Sequence, residues 1–147
     1  MKNLPQLNFP KYSFRFRKAP SGVPLIFDSI RKKWLVLTPE EWVRQNLIEY
    51  LVKDLNYPSS MFQIETGLKV NQNQRRSDVL IYKNSEPYIL VECKAPNISL
   101  SDKVLNQALN YNLEYNCPII ILSNGLIHAS FEKTEAEFKP LKEFPKY

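Results

Sequence analysis

Three short runs in this chain lack any polar alternation: Val79-Leu80-Ile81, Ile89-Leu90-Val91 and Pro118-Ile119-Ile120-Ile121-Leu122. A strand with one wet face would alternate apolar and polar residues. Unbroken apolar runs of this length suit strands buried on both faces. Such strands need a layer of helix on each side of their sheet. The expected fold is therefore α/β in the broad sense (α+β): a central mixed β-sheet flanked by helices.

Two segments supply helices. Thr38 can cap, Pro39 suits the first helical position, and Glu41 lies three residues after the cap. This helix should run to about Leu55, with Trp42, Leu47, Tyr50, Leu51 and Leu55 toward the core. Ser101 opens a second helix reaching about Tyr115, whose apolar stripe reads Val104, Leu105, Ala108, Leu109 and Leu113. Between the helices, Met61 to Glu65 reads as a strand continued by Lys69-Val70, with Gly67 at a bulge or turn. Polar residues 71–76 form a hairpin loop before Ser77 to Tyr82, and Pro87 to Lys94 follows. After Pro118–Leu122, Ser123-Asn124-Gly125 is a tight turn and Ile127 to Phe131 a further strand. His128 within it has no serine or cysteine nucleophile arrangement near it in sequence and reads as structural.

Upstream, Phe14 and Phe16 alternate with Arg15 and Arg17, as in a half-exposed strand from Tyr12 to Arg17. Pro24–Asp28 and Arg31–Leu37 offer partners, so residues 1–37 form an antiparallel β extension. Residues 38–131 form the core of a single domain spanning 1–147. The tail 132–147 is charged, with scattered Phe138, Leu141 and Phe144, and is expected on the surface or against a partner.

Charged residues at the ends of buried strands are costly to desolvate without partners. Asp78 opens one such strand, and Glu92-Cys93-Lys94 ends the next. Alternation puts Glu92 and Lys94 on one side and Cys93 on the other. If the strands pair, Asp78 can lie beside Glu92. Two hard oxygen ligands suit Mg²⁺, with Mn²⁺ as a substitute. Lys94 beside them can orient the attacking water and offset developing negative charge. The bland alternative is a same-face ion pair at a strand end.

Asp78 followed by Glu92-x-Lys94 resembles the active-site pattern of the PD-(D/E)XK nuclease superfamily, with Ser77 where the pattern has proline. Gln107-x-x-x-Tyr111 is similar to the QxxxY motif of RecB-like nucleases. Residues Arg31 to Gln45, with Trp34, Glu41 and Arg44, resemble the opening of the N-terminal nuclease domain of type I restriction enzyme motor (R) subunits. The likeness runs from about Phe27 to about Asn124. It implies a restriction-endonuclease-like core with Glu41, Asp78, Glu92 and Lys94 as the active-site set. Asp78, Glu92 and the backbone carbonyl of Cys93 would hold the metal. Glu41 would support a second metal or a water, or else serve as a capping-box acid. Gln107, Tyr111, Arg75, Arg76, Lys32 and Lys33 are candidate nucleic-acid contacts.

Charge agrees with such a partner. The chain carries +5 overall, and residues 1–53 hold ten Lys/Arg against four Asp/Glu. Phosphate backbones attract such a surface without regard to sequence. The two cysteines form no disulfide framework or zinc spacing and fit a cytoplasmic setting. No run is long enough for a membrane span. The expected activity is a metal-dependent deoxyribonuclease, more in keeping with an endonuclease, in a restriction-modification role. With 147 residues it is expected to lack a motor, to rely on a separate motor or specificity protein, and to leave a homodimer open. The alternatives are a catalytically silent nucleic-acid-binding or interaction module of the same fold and an RNA-directed enzyme.

Overall fold

A computed structural model describes residues 4–64 and 79–147. The described chain begins with three antiparallel strands, β1 (Phe16–Lys18), β2 (Pro24–Asp28) and β3 (Lys33–Val36), ordered β1-β2-β3. The β extension expected before residue 38 is thus present, though β1 is shorter than the Tyr12–Arg17 reading. Helix α1 (Pro39–Lys53) follows, then a 3₁₀ turn at Ser59–Met61. The main sheet has strands β4 (Phe62–Ile64), β5 (Val79–Lys83), β6 (Glu86–Cys93), β7 (Ile119–Ser123), β8 (His128–Lys133) and β9 (Phe138–Leu141), in that spatial order. Helix α2 (Asp102–Tyr115) joins β6 to β7. That pair is parallel and all other neighbours in the sheet are antiparallel. A parallel pair needs a crossover, and α2 provides it.

The three apolar runs are β5, β6 and β7, at the middle of the sheet. Val79, Ile81, Ile89, Val91, Cys93, Ile119 and Ile121 pack with α1 residues Val43, Leu47, Ile48 and Leu51. Leu80, Leu90, Ile120 and Leu122 pack on the other side with Val104 and Ala108 of α2. Each strand therefore feeds both layers, which is why its sequence does not alternate. The β5–β6 hairpin turns at Asn84 and Ser85, both with positive φ, as a two-residue primed turn requires.

Thr38 caps α1 as its sequence indicates, its hydroxyl accepting from Glu41 N at 3.0 Å. The expected apolar stripe of α2 needs correction. Leu113 does not belong to it and is 81% exposed. The buried position is Asn112, whose amide accepts from Cys117 N at 2.8 Å and donates to Cys117 O at 2.9 Å. It thereby ties the end of α2, where Asn116 is left-handed at φ 53°, to the start of β7. A polar group can be buried when both its donor and acceptor are met.

The tail is also more ordered than its composition suggests. Residues 138–141 pair with β8 as β9, the edge strand of the sheet. Phe144 packs against the α1-side core, and the buried Tyr57 hydroxyl donates to Pro145 O at 2.7 Å. On the same side, His128 is held by Ser123 Oγ at 2.8 Å and Asn8 O at 2.9 Å. Because a carbonyl only accepts, Nε2 carries the proton and Nδ1 accepts from Ser123. Burial lowers the His128 pKa, against the Asn8 carbonyl that favours the charged ring. These contacts agree with the structural reading of this histidine.

The α2 contrast is testable. Asn112→Ala leaves the Cys117 amide groups without their partner and should cost about 2–3 kcal/mol in urea denaturation. Leu113→Ala should stay within about 0.5 kcal/mol, as for other exposed positions.

Candidate active site

Strand β6 leaves the buried sheet at Glu92, Cys93 and Lys94. Cys93 is fully buried on the α1 side. Glu92 pairs in register with Leu122, a residue of the α2-side core, and is only 5% exposed. Lys94 extends to the same side, where its ammonium donates to Gln107 Oε1 on α2 at 3.4 Å. Its backbone N–H bonds to Ser123 O at 2.9 Å, which fixes the end of β6 against β7. The expected division of faces, Glu92 with Lys94 and Cys93 opposite, is therefore observed.

Gln107 and Tyr111 share a face of α2, both half-buried. Gln107 meets Lys94 directly, whereas Tyr111 packs against the α2-side core. A lysine thus lies beside a buried carboxylate strand end, with an amide oxygen steering it. Asp78, together with Arg75 and Arg76, lies outside the described residues, as do Gly67, Lys69-Val70 and the 71–76 loop. Strand β5 begins at Val79, paired with Val91, the residue before Glu92.

Glu41 sits in a different cluster. It is buried in the first turn of α1, and its carboxylate does not fold back onto the helix start. Arg44 Nη1 donates to Oε1 at 2.5 Å and Gln45 Nε2 to Oε2 at 2.9 Å. Gln45 also reaches Asp28 Oδ2 at 3.3 Å, and Arg31 Nε lies 2.7 Å from that same oxygen. Arg31 Nη2 stands 4.0 Å from Glu41. The first strand layer and α1 are thus joined by an alternating set of two carboxylates, two guanidinium groups and an amide. Among the described residues, no three His, Cys, Asp or Glu side chains gather as a metal-binding group. The arrangement brings Glu92, Lys94 and Gln107 to one side of the sheet and holds Glu41 with Asp28 at the start of α1.

Asp28 is the member that sequence reading passed over, as the last residue of a strand. It is 1% exposed. Burial pushes its carboxyl pKa up, but hydrogen bonds from the backbone and guanidinium of Arg31 and from Gln45 outweigh that and hold it below the ordinary value. The local signal was available: an aspartate accepting from the amides two and three residues on is an Asx-type turn. Gln45, one helical turn after Glu41, was the second. Lys32 and Lys33 are exposed, Lys32 in the β2–β3 turn in left-handed conformation at φ 57° and Lys33 at the start of β3.

Asp28→Ala should lower stability by about 3 kcal/mol, because it removes the carboxylate that accepts from the backbone and guanidinium of the largely buried Arg31. Since the folded pKa of Asp28 lies below 3.8, its contribution is present above that value. It should be lost as pH falls through the window beneath it, and acid titration of wild type against the variant should show this difference shrinking.

No curated protein matches the chain. The family described as type I restriction enzyme R protein N terminus matches residues 39–145, and the chain belongs to that family.

Proposed function

We propose that this member of the type I restriction enzyme R N-terminal family is a Mg²⁺-dependent deoxyribonuclease domain, endonucleolytic in action. The observation that carries the reading is the end of β6, where Glu92 is buried on the face from which Lys94 reaches Gln107. A carboxylate retained in such a place, with a lysine one pleat away, suits the work of holding a hard cation against phosphate. Glu92 supplies an oxygen donor of the right chemistry, and the Cys93 carbonyl offers another. Asp78 is the third ligand in this proposal; in sequence it directly precedes Val79, the partner of Val91.

The cation, when bound, would neutralise charge on the scissile phosphate and make water a better nucleophile. The protein's part is positioning. Lys94, steered by the Gln107 oxygen, would hold the attacking water in line with the leaving oxygen and offset the charge that develops. Water oxygen bonds to phosphorus, the bond from phosphorus to O3′ breaks, and a proton passes to that oxygen. The products are a 3′ hydroxyl and a 5′ phosphate. Glu41 would exchange one of its bonds to Arg44 or Gln45 to support a second cation. Gln107, Tyr111, Arg75, Arg76, Lys32 and Lys33 would contact the nucleic acid. A translocating or specificity-conferring protein would direct the domain to its substrate.

Purified protein should cut linear and circular duplex DNA with Mg²⁺ or Mn²⁺ and not with chelator. Cutting of the circle distinguishes endonucleolytic action. Asp78→Ala and Glu92→Gln should abolish cleavage, and Lys94→Ala should reduce it by about 10²-fold or more while DNA binding stays close to wild type. DNA binding without cleavage by wild type under all these conditions would favour the silent-module reading.

A further inference from the structure

The outward face of the first sheet carries a feature that cleavage chemistry does not use. Its pairing register arranges six side chains in two rows. Arg15, Phe27 and Trp34 form one, since Phe27 N bonds to Arg15 O and Phe27 pairs with Trp34. Arg17, Leu25 and Val36 form the other. The opposite face holds Phe16, Ile26 and Leu35, and there Phe14 and Phe16 lie against Trp42 of α1. The inner face is thus the one tied to the core. On the outer face Arg15 and Arg17 are exposed and Val36 is 53% exposed.

The aromatic and cationic groups on this face are stacked. The Arg15 guanidinium sits 4.4 Å from the Phe27 ring centre and 5.4 Å from that of Trp34. Arg17 sits 4.4 Å from Trp34, and the Phe27 and Trp34 rings meet edge to face at 5.2 Å. Lys18, Lys32 and Lys33 stand exposed at the margins. Residues 1–37 hold eight Lys/Arg against one Asp/Glu. A sheet face of rings and guanidinium groups within a positive field has a natural ligand. Bases stack on such planes only when unpaired, while the cations follow the backbone phosphates. The charge complements a polyanion, and the rings have no use for the outside of a duplex. The sheet also lies before residue 39, where the family match begins.

We propose that the outer face of the β1–β3 sheet is a stacking platform for single-stranded DNA, with Trp34, Phe27, Arg15 and Arg17 as its contacts. It rests on the nuclease reading for the choice of DNA, and it gives that domain a place to hold a strand separated from its duplex.

The test is binding in the presence of chelator, so that cleavage plays no part. Fluorescence anisotropy would follow labelled oligothymidylate of about twelve nucleotides, a length within the usual footprint of such surfaces. Wild type should bind it more tightly than blunt duplex of equal length. Trp34→Leu should weaken binding about 10-fold or more. Trp34→Phe, which keeps a ring, should restore part of the loss and guards against a folding artefact. Arg15→Gln with Arg17→Gln should weaken binding and make the salt slope shallower by about 0.7 for each phosphate that the variant no longer neutralises. Lys139→Gln on β9, a single charge removed elsewhere, should have little effect. Equal affinity for duplex, or no response to the Trp34 and arginine variants, would overturn the platform and leave the face to a protein partner. Tighter binding of oligouridylate would overturn the assignment to DNA. Binding with these responses but without cleavage in Mg²⁺ would sink the nuclease reading alone.

Discussion

The burial of β5, β6 and β7 on both faces is the constraint from which the rest of the molecule follows. Residues on successive positions of these strands enter opposite cores, one shared with α1 and one with α2. Neither core can form without its helix, so the strands recruit both layers at once. The parallel β6–β7 pairing then follows from α2 lying between them in sequence. Apolar burial at about 25 cal/mol per Å² rewards this arrangement, and polar groups are tolerated only where the strands end or where partners are supplied.

That constraint also places the chemistry. Glu92 and Lys94 stand at the end of β6 on the α2 side, with Glu92 buried and Lys94 half-buried. The Lys94 bond to Gln107 takes its precision from this framework, since β6 and α2 are both anchored by core contacts. A second polar assembly, Asp28 with Arg31, Gln45, Glu41 and Arg44, fastens the first sheet to α1. Its groups satisfy one another, as buried charge requires. The thiols belong to the packed interior: burial pushes Cys117 up to about 12, and Cys93 is enclosed in the α1-side core.

Much of this was legible in the residues. The strand-helix order, the Thr38 cap and the opposite faces of Glu92 and Cys93 all follow from local periodicity and capping chemistry, which depend on a few neighbouring residues. The resemblance to the R-subunit nuclease domain also agrees with the family to which the chain belongs. Leu113 reads as part of the stripe but lies outside it, and Asn112 takes the buried place, for a physical reason. A helical stripe has limited width, and the residue at its edge is chosen by what lies opposite. Here that is the Cys117 amide pair, which rewards an asparagine over a leucine. The tail packs on the surface as expected, but its strand β9 was not legible, because that pairing depends on the edge of β8 rather than on the tail's own mixed composition.

The residues alone specify both helices, the strands of the sheet other than β9, which strands lie at the centre, and the face that Glu92 and Lys94 share. Those features arise from backbone geometry and the period of side-chain direction. The assembled fold is what brings Lys94 to Gln107, holds Glu41 with Arg44 and Gln45 beside Asp28, and stacks Arg15 and Arg17 on Trp34. Each of these depends on elements apart in sequence being docked at a particular register. That docking is set by the packing of the whole core, to which no single segment's periodicity gives access.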